Sequence, residues 1–314
     1  MKKIAILFPG QGAQKQGMGK SFYDNYEAAQ KAFKLIDDTL ERNISTLCFE
    51  GTDEELKQTI NTQPALLAVE VAGWEALKSV SDIKPAYFAG HSLGEYGALY
   101  ASGALSLENC FRAINARAQA MQNACEAGTE KGAMAAVLGL GSAVIKEEAD
   151  KISNYVDVAN FNEPNQTVIT GTAQGVEDLS AILKEKGAKR IVPLAVSGAF
   201  HSKLMESAGA EFAKFFNEVE IMEAHTPVIT NTDALPTTSP EEFRIKEVEQ
   251  ISSSVQWVKT IEFMLSEGVN TFIEIGEGKV LSGLCKKMCP PETIILNISD
   301  KESLDIAVEE LKNE

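Results

Sequence analysis

Residues 86–96 have the sequence AYFAGHSLGEY, in which an apolar run leads into a serine flanked by glycines. The run 86–89 is typical of a short buried strand, and 95–104 is typical of a helix. Between them, Gly90-His91-Ser92-Leu93-Gly94 matches G-x-S-x-G, the pattern of a nucleophile elbow between a strand and a helix. Bulkier residues at the glycine positions would clash with the strand and the helix. The alternative is a glycine-lined turn with an incidental serine, but the context favours Ser92 as a nucleophile.

Strands and helices alternate on both sides of this elbow. Further core strands are predicted at 4–8, 227–231 and 271–275. Helices are predicted at 64–80, 107–123 and 255–266. Such alternation is typical of an α/β fold, and we expect a large α/β-hydrolase-like domain with a mostly parallel central sheet.

The segment 128–196 has a different order of elements. Strands are predicted at 133–138, 156–160, 166–170 and 189–194, and helices at 143–154 and 173–186. A turn that contains residues 162–165 links the two middle strands. The order β-α-β-β-α-β is the ferredoxin-like, or split βαβ, pattern. We therefore expect a small inserted domain at 128–196 and a large catalytic domain formed by 1–127 and 197–314.

Composition restricts the classes of function. The chain has 314 residues, of which 44% are hydrophobic and 24% are charged, as in ordinary globular enzymes. Its net charge of −16 argues against nucleic acid and anionic membranes as partners. The apolar run at the N-terminus is too short for a signal peptide, and the five scattered cysteines favour free thiols over disulfides or a zinc site. We expect a cytoplasmic protein, and a monomer.

A serine nucleophile needs a base, and the chain has only three histidines. His91 lies inside the elbow and points elsewhere if Ser92 faces the site. His225 is expected in a loop before a strand. His201 lies where the inserted segment returns to the large domain, and sites are common at such junctions. Position alone leaves His201 either as the base or as a structural histidine.

Seven motifs in order along the chain carry a resemblance to a known family. They are Phe8-Pro9-Gly10-Gln11-Gly12, Thr62-Gln63-Pro64-Ala65, Gly90-His91-Ser92-Leu93-Gly94-Glu95-Tyr96, Gly132-Ala133-Met134, Asn160-Phe161-Asn162, Phe200-His201-Ser202 and Glu274-Ile275-Gly276. On these motifs the chain resembles the malonyl-CoA:acyl carrier protein transacylases, the acyltransferases of fatty acid synthesis. The likeness runs nearly from end to end, which makes it far more specific than G-x-S-x-G alone.

The resemblance implies roles for matching positions. Ser92 would be the nucleophile and His201 its base, and Gln11 and Leu93 would supply the amides of the oxyanion hole. Gln250 would orient the histidine through its main-chain carbonyl. The family lacks an acidic third member of the triad. The nearby acidic residues Glu247 and Glu249 are accordingly expected to be solvated.

The resemblance also implies a substrate site. Arg117 would hold the malonyl carboxylate, a task that suits the planar fork of an arginine. Arg112 on the same predicted helix points ~140° away, so only one of the two arginines can face the site. Phe200 would crowd a 2-methyl group and so favour malonyl over methylmalonyl. Asn160 and Asn162 would line the pocket, although a structural role in a turn is equally compatible with the sequence.

The implied reaction moves a malonyl group from malonyl-CoA to the phosphopantetheine thiol of a holo acyl carrier protein, through a malonyl-serine intermediate. A thiol replaces a thiol, so no metal or redox cofactor is expected. Acyl carrier proteins are acidic, and an acidic enzyme then needs a local basic patch to bind them. Two pairs of residues are candidates for this patch: Lys189-Arg190 and Lys286-Lys287. Solvated surface lysines are the alternative, and the sequence leaves a fatty-acid or a polyketide carrier open.

Two rival functions remain. A serine hydrolase or thioesterase would use the same pair, Ser92 and His201, and would lose the acyl group to water. A nucleotide-binding module is suggested by Gly10-x-Gly12 after the first strand, but the third glycine of that fingerprint is replaced by Lys15.

Overall fold

The computed structural model of the chain describes residues 2–128, 131–196 and 198–312. In these ranges ten strands form two separate sheets, of six and four strands. The strands are β1 (Ile4–Phe8), β2 (Tyr87–Gly90), β3 (Gly132–Leu138), β4 (Val156–Glu163), β5 (Gln166–Thr172), β6 (Arg190–Pro193), β7 (Val228–Ile229), β8 (Pro236–Thr237), β9 (Thr271–Ile275) and β10 (Ile294–Ile298).

The helices pack around these sheets. They are α1 (Lys20–Asn25), α2 (Glu27–Leu40), α3 (Ile44–Glu50), α4 (Asp53–Lys57), α5 (Thr59–Val80), α6 (Gly94–Ala101), α7 (Leu107–Ala127), α8 (Ser142–Ala149), α9 (Ala173–Glu185), α10 (Glu206–Phe216), α11 (Pro240–Gln250), α12 (Trp257–Ser266), α13 (Val280–Met288) and α14 (Lys301–Lys312). Among the described residues, no helix has both the length and the apolar character that crossing a membrane requires.

The large sheet has the strand order β10-β9-β1-β2-β7-β8, and every pair is parallel except β7 with β8. Side chains of β1 alternate between two cores: Ile6 and Phe8 enter one, while Ala5 and Leu7 enter the other. This burial on both faces explains why β1 is continuously apolar. The predicted mostly parallel sheet is confirmed. The strand expected at 227–231 is shorter, because the chain leaves the sheet after Ile229.

Helix α5 begins at Thr59, earlier than the 64–80 expected from the sequence, and it contains Pro64. Proline has no amide hydrogen, so the carbonyl of Ile60 loses its partner within the helix. The Arg42 guanidinium lies 3.4 Å from that carbonyl and donates to it instead. A tertiary hydrogen bond thus compensates for the proline, which local sequence could not show.

The small sheet has the order β4-β5-β3-β6 with every neighbouring pair antiparallel, which confirms the ferredoxin-like pattern. One face packs against α8 and α9 through Val137 and Ile169. The other face places Met134 and Val168 in the core of the large sheet. The connection between β4 and β5 is tighter than expected, so the residues at 162 and 163 belong to β4 rather than to a turn.

In sequence, the small sheet lies between β2 and β7 of the large sheet, as an inserted unit would. The division into 1–127 with 197–314 and 128–196 stays a prediction. Thr129, Glu130 and Ser197, which lie at or next to its boundaries, are outside the described residues.

Candidate active site

Ser92 lies in a tight turn between β2 and α6, where its backbone has the left-handed angle φ = 54°. A Cβ added to Gly90 would lie 1.9 Å from the carbonyl oxygen of Gly94. A Cβ added to Gly94 would lie 2.2 Å from the carbonyl oxygen of Phe8 on β1. Both glycines are therefore required by close approach of the backbone. This is the geometry of a nucleophile elbow.

His201 contacts the nucleophile directly. Its Nε2 lies 2.8 Å from Ser92 Oγ. Its Nδ1 lies 2.9 Å from the carbonyl oxygen of Gln250 and 3.2 Å from that of Ser253. Carbonyls only accept, so Nδ1 carries the proton and Nε2 is left to accept from the Ser92 hydroxyl. His201 also has a left-handed backbone, with φ = 56°.

The imidazole of His201 is held neutral. Its pKa is lowered to about 3, first by burial and then by the positive charge of Arg117. Both effects disfavour the imidazolium form. At ordinary pH the ring is therefore ready to accept a proton from Ser92.

Arg117 is 1% exposed and lies on α7 beneath the elbow. Its Nη1 donates to Gln63 Oε1 at 2.6 Å, and its Nη2 donates to Gln250 Oε1 at 2.8 Å and to Ser92 Oγ at 3.3 Å. None of these partners is charged, and Arg117 forms no ion pair with the described residues. Arg112 is exposed, as the helical spacing required. A buried cation without a carboxylate partner is suited to an anionic ligand.

The side chain of Gln250 connects Arg117 to a buried pair of acids. Its Nε2 donates to Glu95 Oε2 at 2.6 Å and to the carbonyl oxygen of Ser92 at 3.1 Å. Burial raises the pKa of Glu95 to about 7, and the hydrogen bond from Gln250 opposes that rise. Glu247 is fully buried beside Glu95, so the expectation that it is solvated was wrong. Because α11 packs this face inward, burial and then the charge of Glu95 raise the pKa of Glu247 well above its usual range. Glu249 is exposed, as expected.

Ser92 and His201 open into a cavity of about 370 Å³. Its catalytic side is formed by Gln63, Ser92, Arg117 and His201. Its small-sheet side is formed by Met134, Asn160, Pro193 and Leu194. Gln11, Leu93 and Phe200 also line it. The amides of Gln11 and Leu93 donate no hydrogen bond within the described part of the chain, so both are available to a ligand.

The two asparagines of β4 are placed differently. Asn160 lines the cavity, and its side chain has no hydrogen-bond partner in the described ranges. Asn162 is not among the residues around the cavity: its Oδ1 lies 2.8 Å from Nε2 of His91, whose ring packs against Trp257. The His91 ring therefore extends toward the small sheet, while it still lines the cavity. His225 is exposed and lies elsewhere.

The four basic candidates for carrier binding are all exposed. The register of the small sheet pairs Arg190 with Leu138, Leu138 with Gln166, and Gln166 with Glu163. These residues lie in a row at one end of the sheet. Lys287 is 3.0 Å from Glu163, at one end of the row, and Lys189-Arg190 is at the other. The fold thus brings the two predicted basic pairs to the same end of the small sheet, at its two opposite outer strands, and this end of the sheet is called the basic edge.

Three polar residues at the site were missed from the sequence: Gln63, Glu95 and Asn231. Gln63 is a buried amide directly before the apolar run 64–69 of α5, and an amide beside such a run is itself a signal. Asn231 comes at the end of the predicted strand 227–231, and the carboxyl ends of parallel strands are where ligands bind in such sheets. Glu95 gave no signal, because an acid in the first turn of a helix is normally a solvated residue.

The chain is similar to known proteins over most of its length. A family model described as acyl transferase domain matches residues 6–287. The chain is 46% identical to the malonyl CoA-acyl carrier protein transacylase of Bacillus subtilis, over 100% of this chain and 99% of that protein. It is 40% identical to the protein of the same name from Staphylococcus aureus strain MRSA252, over 92% of this chain and 93% of that protein.

Solved structures are similar over the whole length. The acyl-carrier-protein-S-malonyltransferase of Bartonella henselae superposes with a TM-score of 0.94 at 36% identity, over 99% of each chain. A malonyl-transacylase in complex with its holo type II PKS acyl-carrier protein superposes with a TM-score of 0.94 at 35% identity, over 98% of this chain and 100% of that one. The resemblance expected from the seven motifs is thereby confirmed, and the chain belongs to the acyl transferase domain family.

Proposed function

We propose that this chain transfers a malonyl group from malonyl-CoA to the phosphopantetheine thiol of a holo acyl carrier protein, through an ester on Ser92. One observation carries the proposal. Ser92 Oγ lies 2.8 Å from a neutral histidine nitrogen and 3.3 Å from a buried arginine that forms no ion pair within the described part of the chain. A nucleophile, its base and a cation for the substrate's free carboxylate therefore meet at one atom.

The first half-reaction forms the malonyl ester. His201 Nε2 accepts the Ser92 proton as Oγ attacks the thioester carbonyl. The amides of Gln11 and Leu93 bind the oxyanion, and the carbonyl of Gln250 stabilises the imidazolium through Nδ1. When the tetrahedral intermediate breaks down, the coenzyme A thiolate leaves and takes the proton from His201.

The second half-reaction reverses these steps with a new thiol. The phosphopantetheine thiol of the carrier enters the site left by coenzyme A and gives its proton to His201. Its sulfur attacks the ester carbonyl, and Ser92 Oγ leaves with the proton from His201. A thioester is converted to a thioester, so the proposal includes no metal or redox cofactor.

The acyl group is selected by the residues around Ser92. In the proposal, the two Nη atoms of Arg117 bind the malonyl carboxylate with two charge-assisted hydrogen bonds. Phe200 lies next to His201, and its carbonyl accepts from Thr170 Oγ1 at 2.9 Å, which holds it against the small sheet. Its ring would crowd a 2-methyl group. The side-chain amide of Asn160, which has no hydrogen-bond partner in the described ranges, is available for the pantetheine chain, and Asn162 contributes by holding His91.

The carrier is proposed to dock at the basic edge of the small sheet. Lys189, Arg190 and Lys286 form no ion pair with the described residues, whereas Lys287 is paired with Glu163. Because carrier proteins and this chain are both acidic, local attraction at this edge would orient the carrier rather than long-range steering. We propose a carrier of fatty acid elongation. A polyketide carrier is the second candidate, since the similar complex contains one.

We also propose a cytoplasmic location. The support for it is that all five cysteines are free thiols, of which Cys48, Cys110 and Cys285 are buried. Unpaired cysteines are typical of proteins in a reducing compartment.

The test is intact-mass spectrometry after brief mixing with malonyl-CoA, followed by addition of holo acyl carrier protein. We expect one malonyl adduct, mapped to Ser92 by digestion, that disappears as the carrier gains the same mass. Ser92→Ala should form no adduct, and an adduct on that variant would refute the mechanism. Loss of the adduct without gain by any carrier would indicate a thioesterase. Parallel reactions with fatty-acid and polyketide carriers distinguish the two partners by rate.

A further inference from the structure

The backbone of Ser92 is strained and must be held in place. A left-handed φ of 54° is uncommon for a residue with a side chain, and such strain persists only where surrounding contacts enforce it. The flanking glycines allow the turn, but they have no side chain that could bind the backbone on both sides of Ser92. The residue that holds it should bind the backbone on both sides of Ser92.

Asn231 has this position. Strand β7 runs parallel to β2 with Ile229 opposite Ala89, so Asn231 lies beside the elbow as both strands end. Its Oδ1 accepts from the Ser92 amide at 2.7 Å, and its Nδ2 donates to the Gly90 carbonyl oxygen at 2.6 Å. One buried side chain thus spans the turn and binds a donor and an acceptor.

The orientation of this amide is fixed. With Oδ1 and Nδ2 exchanged, a donor would face the Ser92 amide and an acceptor would face the Gly90 carbonyl. The main chain of Asn231 is also anchored: its amide donates to Glu95 at 3.2 Å, and its carbonyl accepts from the Gln256 amide at 2.9 Å. The side chain therefore has little freedom to release the turn.

We infer that Asn231 is the positioning residue that holds Ser92 in its reactive conformation, an inference that rests on the proposed function. Asn231 does not touch the substrate, and it acts through the backbone of the nucleophile. It also occupies the Ser92 amide, so that amide cannot bind the oxyanion. The Leu93 amide, which has no partner among the described residues, is left for that task.

The first experiment compares rates of Ser92 malonylation by rapid quench and intact mass in wild type and Asn231→Ala. We expect the single-turnover rate to fall about 100-fold or more, because a misplaced nucleophile loses its attack geometry. The concentration of malonyl-CoA that gives half-maximal rate should change less than about threefold, since Arg117 and the cavity are intact. Asn297→Ala is the matched control: its Nδ2 donates to the Gly278 carbonyl at 2.8 Å, far from β2 in the sheet.

A second variant separates positioning from folding. In Asn231→Asp, a protonated carboxyl group can still accept from Ser92 and donate to Gly90, whereas an ionised one repels the Gly90 carbonyl. Its rate relative to wild type should therefore rise as pH falls. The neighbouring groups that titrate or carry charge are Glu95, with Glu247 and Arg117 behind it, the histidines His91 and His201, and Asp233 with its partner Lys246. The rate of wild type, measured at each pH, corrects for the titration of these groups. The folded fraction, measured by circular dichroism at each pH, corrects for unfolding.

The outcomes are distinct. A slow Asn231→Ala protein that still reaches full malonylation, with acid rescue of Asn231→Asp, supports the inference. Wild-type rates in Asn231→Ala, or losses that merely follow its folded fraction while Asn231→Asp shows no acid rescue, overturn it. If wild type itself is not malonylated on Ser92, the proposed function fails and the inference fails with it.

Discussion

The two sides of the cavity differ in how they are held. On the catalytic side, each polar group is fixed by several hydrogen bonds: Ser92 by Asn231 and His201, and Arg117 by Gln63 and Gln250. The small-sheet side presents mainly apolar side chains and Asn160, whose amide has no hydrogen-bond partner among the described residues. Rigid groups suit a reaction that needs one geometry. A mostly apolar surface suits the thiol-bearing chains of coenzyme A and of the carrier's phosphopantetheine, because each of them must enter and leave.

This comparison predicts that changes on the catalytic side alter the chemical step, whereas changes near the small sheet alter recognition of the carrier. The largest effect is expected at Arg117. Arg117→Ala should slow malonyl loading roughly 30- to 5,000-fold, the range for truncating one partner of a buried charge pair. Acetyl loading should fall far less, because acetyl has no carboxylate.

The measurement is the rate of adduct formation from malonyl-CoA and from acetyl-CoA. Arg112→Ala, an exposed arginine on the same helix, is the control and should leave both rates unchanged. Equal losses for the two acyl groups in Arg117→Ala would contradict the carboxylate role.

The next prediction concerns the pKa of His201, the base on the catalytic side. The lowered pKa of His201, about 3, means that the imidazole stays neutral as pH falls through the usual range for histidine. Its ability to accept the Ser92 proton should be lost only far below pH 6.5. Removing the charge in Arg117→Ala should move this pKa upward, but only partly, because burial is the larger cause.

NMR titration of the imidazole signals measures this directly, because the chain has only three histidines. A His201→Ala sample assigns the signal. If the His201 imidazole titrates near pH 6.5 in wild type, the site is more accessible to solvent than the structure indicates.

A smaller effect is expected on stability at Glu247. Its pKa is raised well above 4.5 in the folded protein by burial, so between the unfolded and folded pKa values folding takes up a proton. Glu247 therefore makes its full contribution to the free energy of unfolding at low pH. That contribution is lost as pH rises from the unfolded pKa through the folded pKa. Glu247→Gln should remove the loss and raise the free energy of unfolding at pH 8 by about 1–3 kcal/mol.

Urea denaturation at pH 5 and pH 8 tests this. Glu249→Gln, an exposed position two residues along the same helix, is the control and should leave the pH dependence of wild type unchanged. A large loss of stability in Glu247→Gln at pH 8 would mean that the ionised acid supports the site.

The smallest effect is expected at the basic edge of the small sheet. The double variant Lys189→Glu, Lys286→Glu should raise KM for the carrier roughly threefold to tenfold, because exposed charges act weakly in water. KM for malonyl-CoA and the rate of Ser92 acylation should not change. Lys84→Glu makes the same charge change at a lysine whose side chain is 83% exposed, and it should have no effect. An unchanged KM for the carrier in the double variant would reject this edge as the docking site.

Local sequence predicted the parts of the fold that local chemistry determines. Strand β9 was predicted at its observed bounds, and the elbow at Ser92 followed from its glycines. What failed depends on tertiary contacts. Pro64 lies within a helix because Arg42 binds the freed carbonyl, and Glu247 is buried because α11 packs that face inward against the large domain. Asn231 was part of a predicted strand, but its role depends on which strand lies next to β7, and sequence alone did not give that order.

The left-handed backbones of Ser92 and His201 have a consequence for engineering. Both residues would adopt these angles more readily as glycine, so part of the folded state's stability is given up for the reaction. A search for heat-tolerant variants that ignores activity would tend to favour glycine at these two positions. Two of the four described non-glycine residues with left-handed backbones are therefore ones that selection for activity must protect.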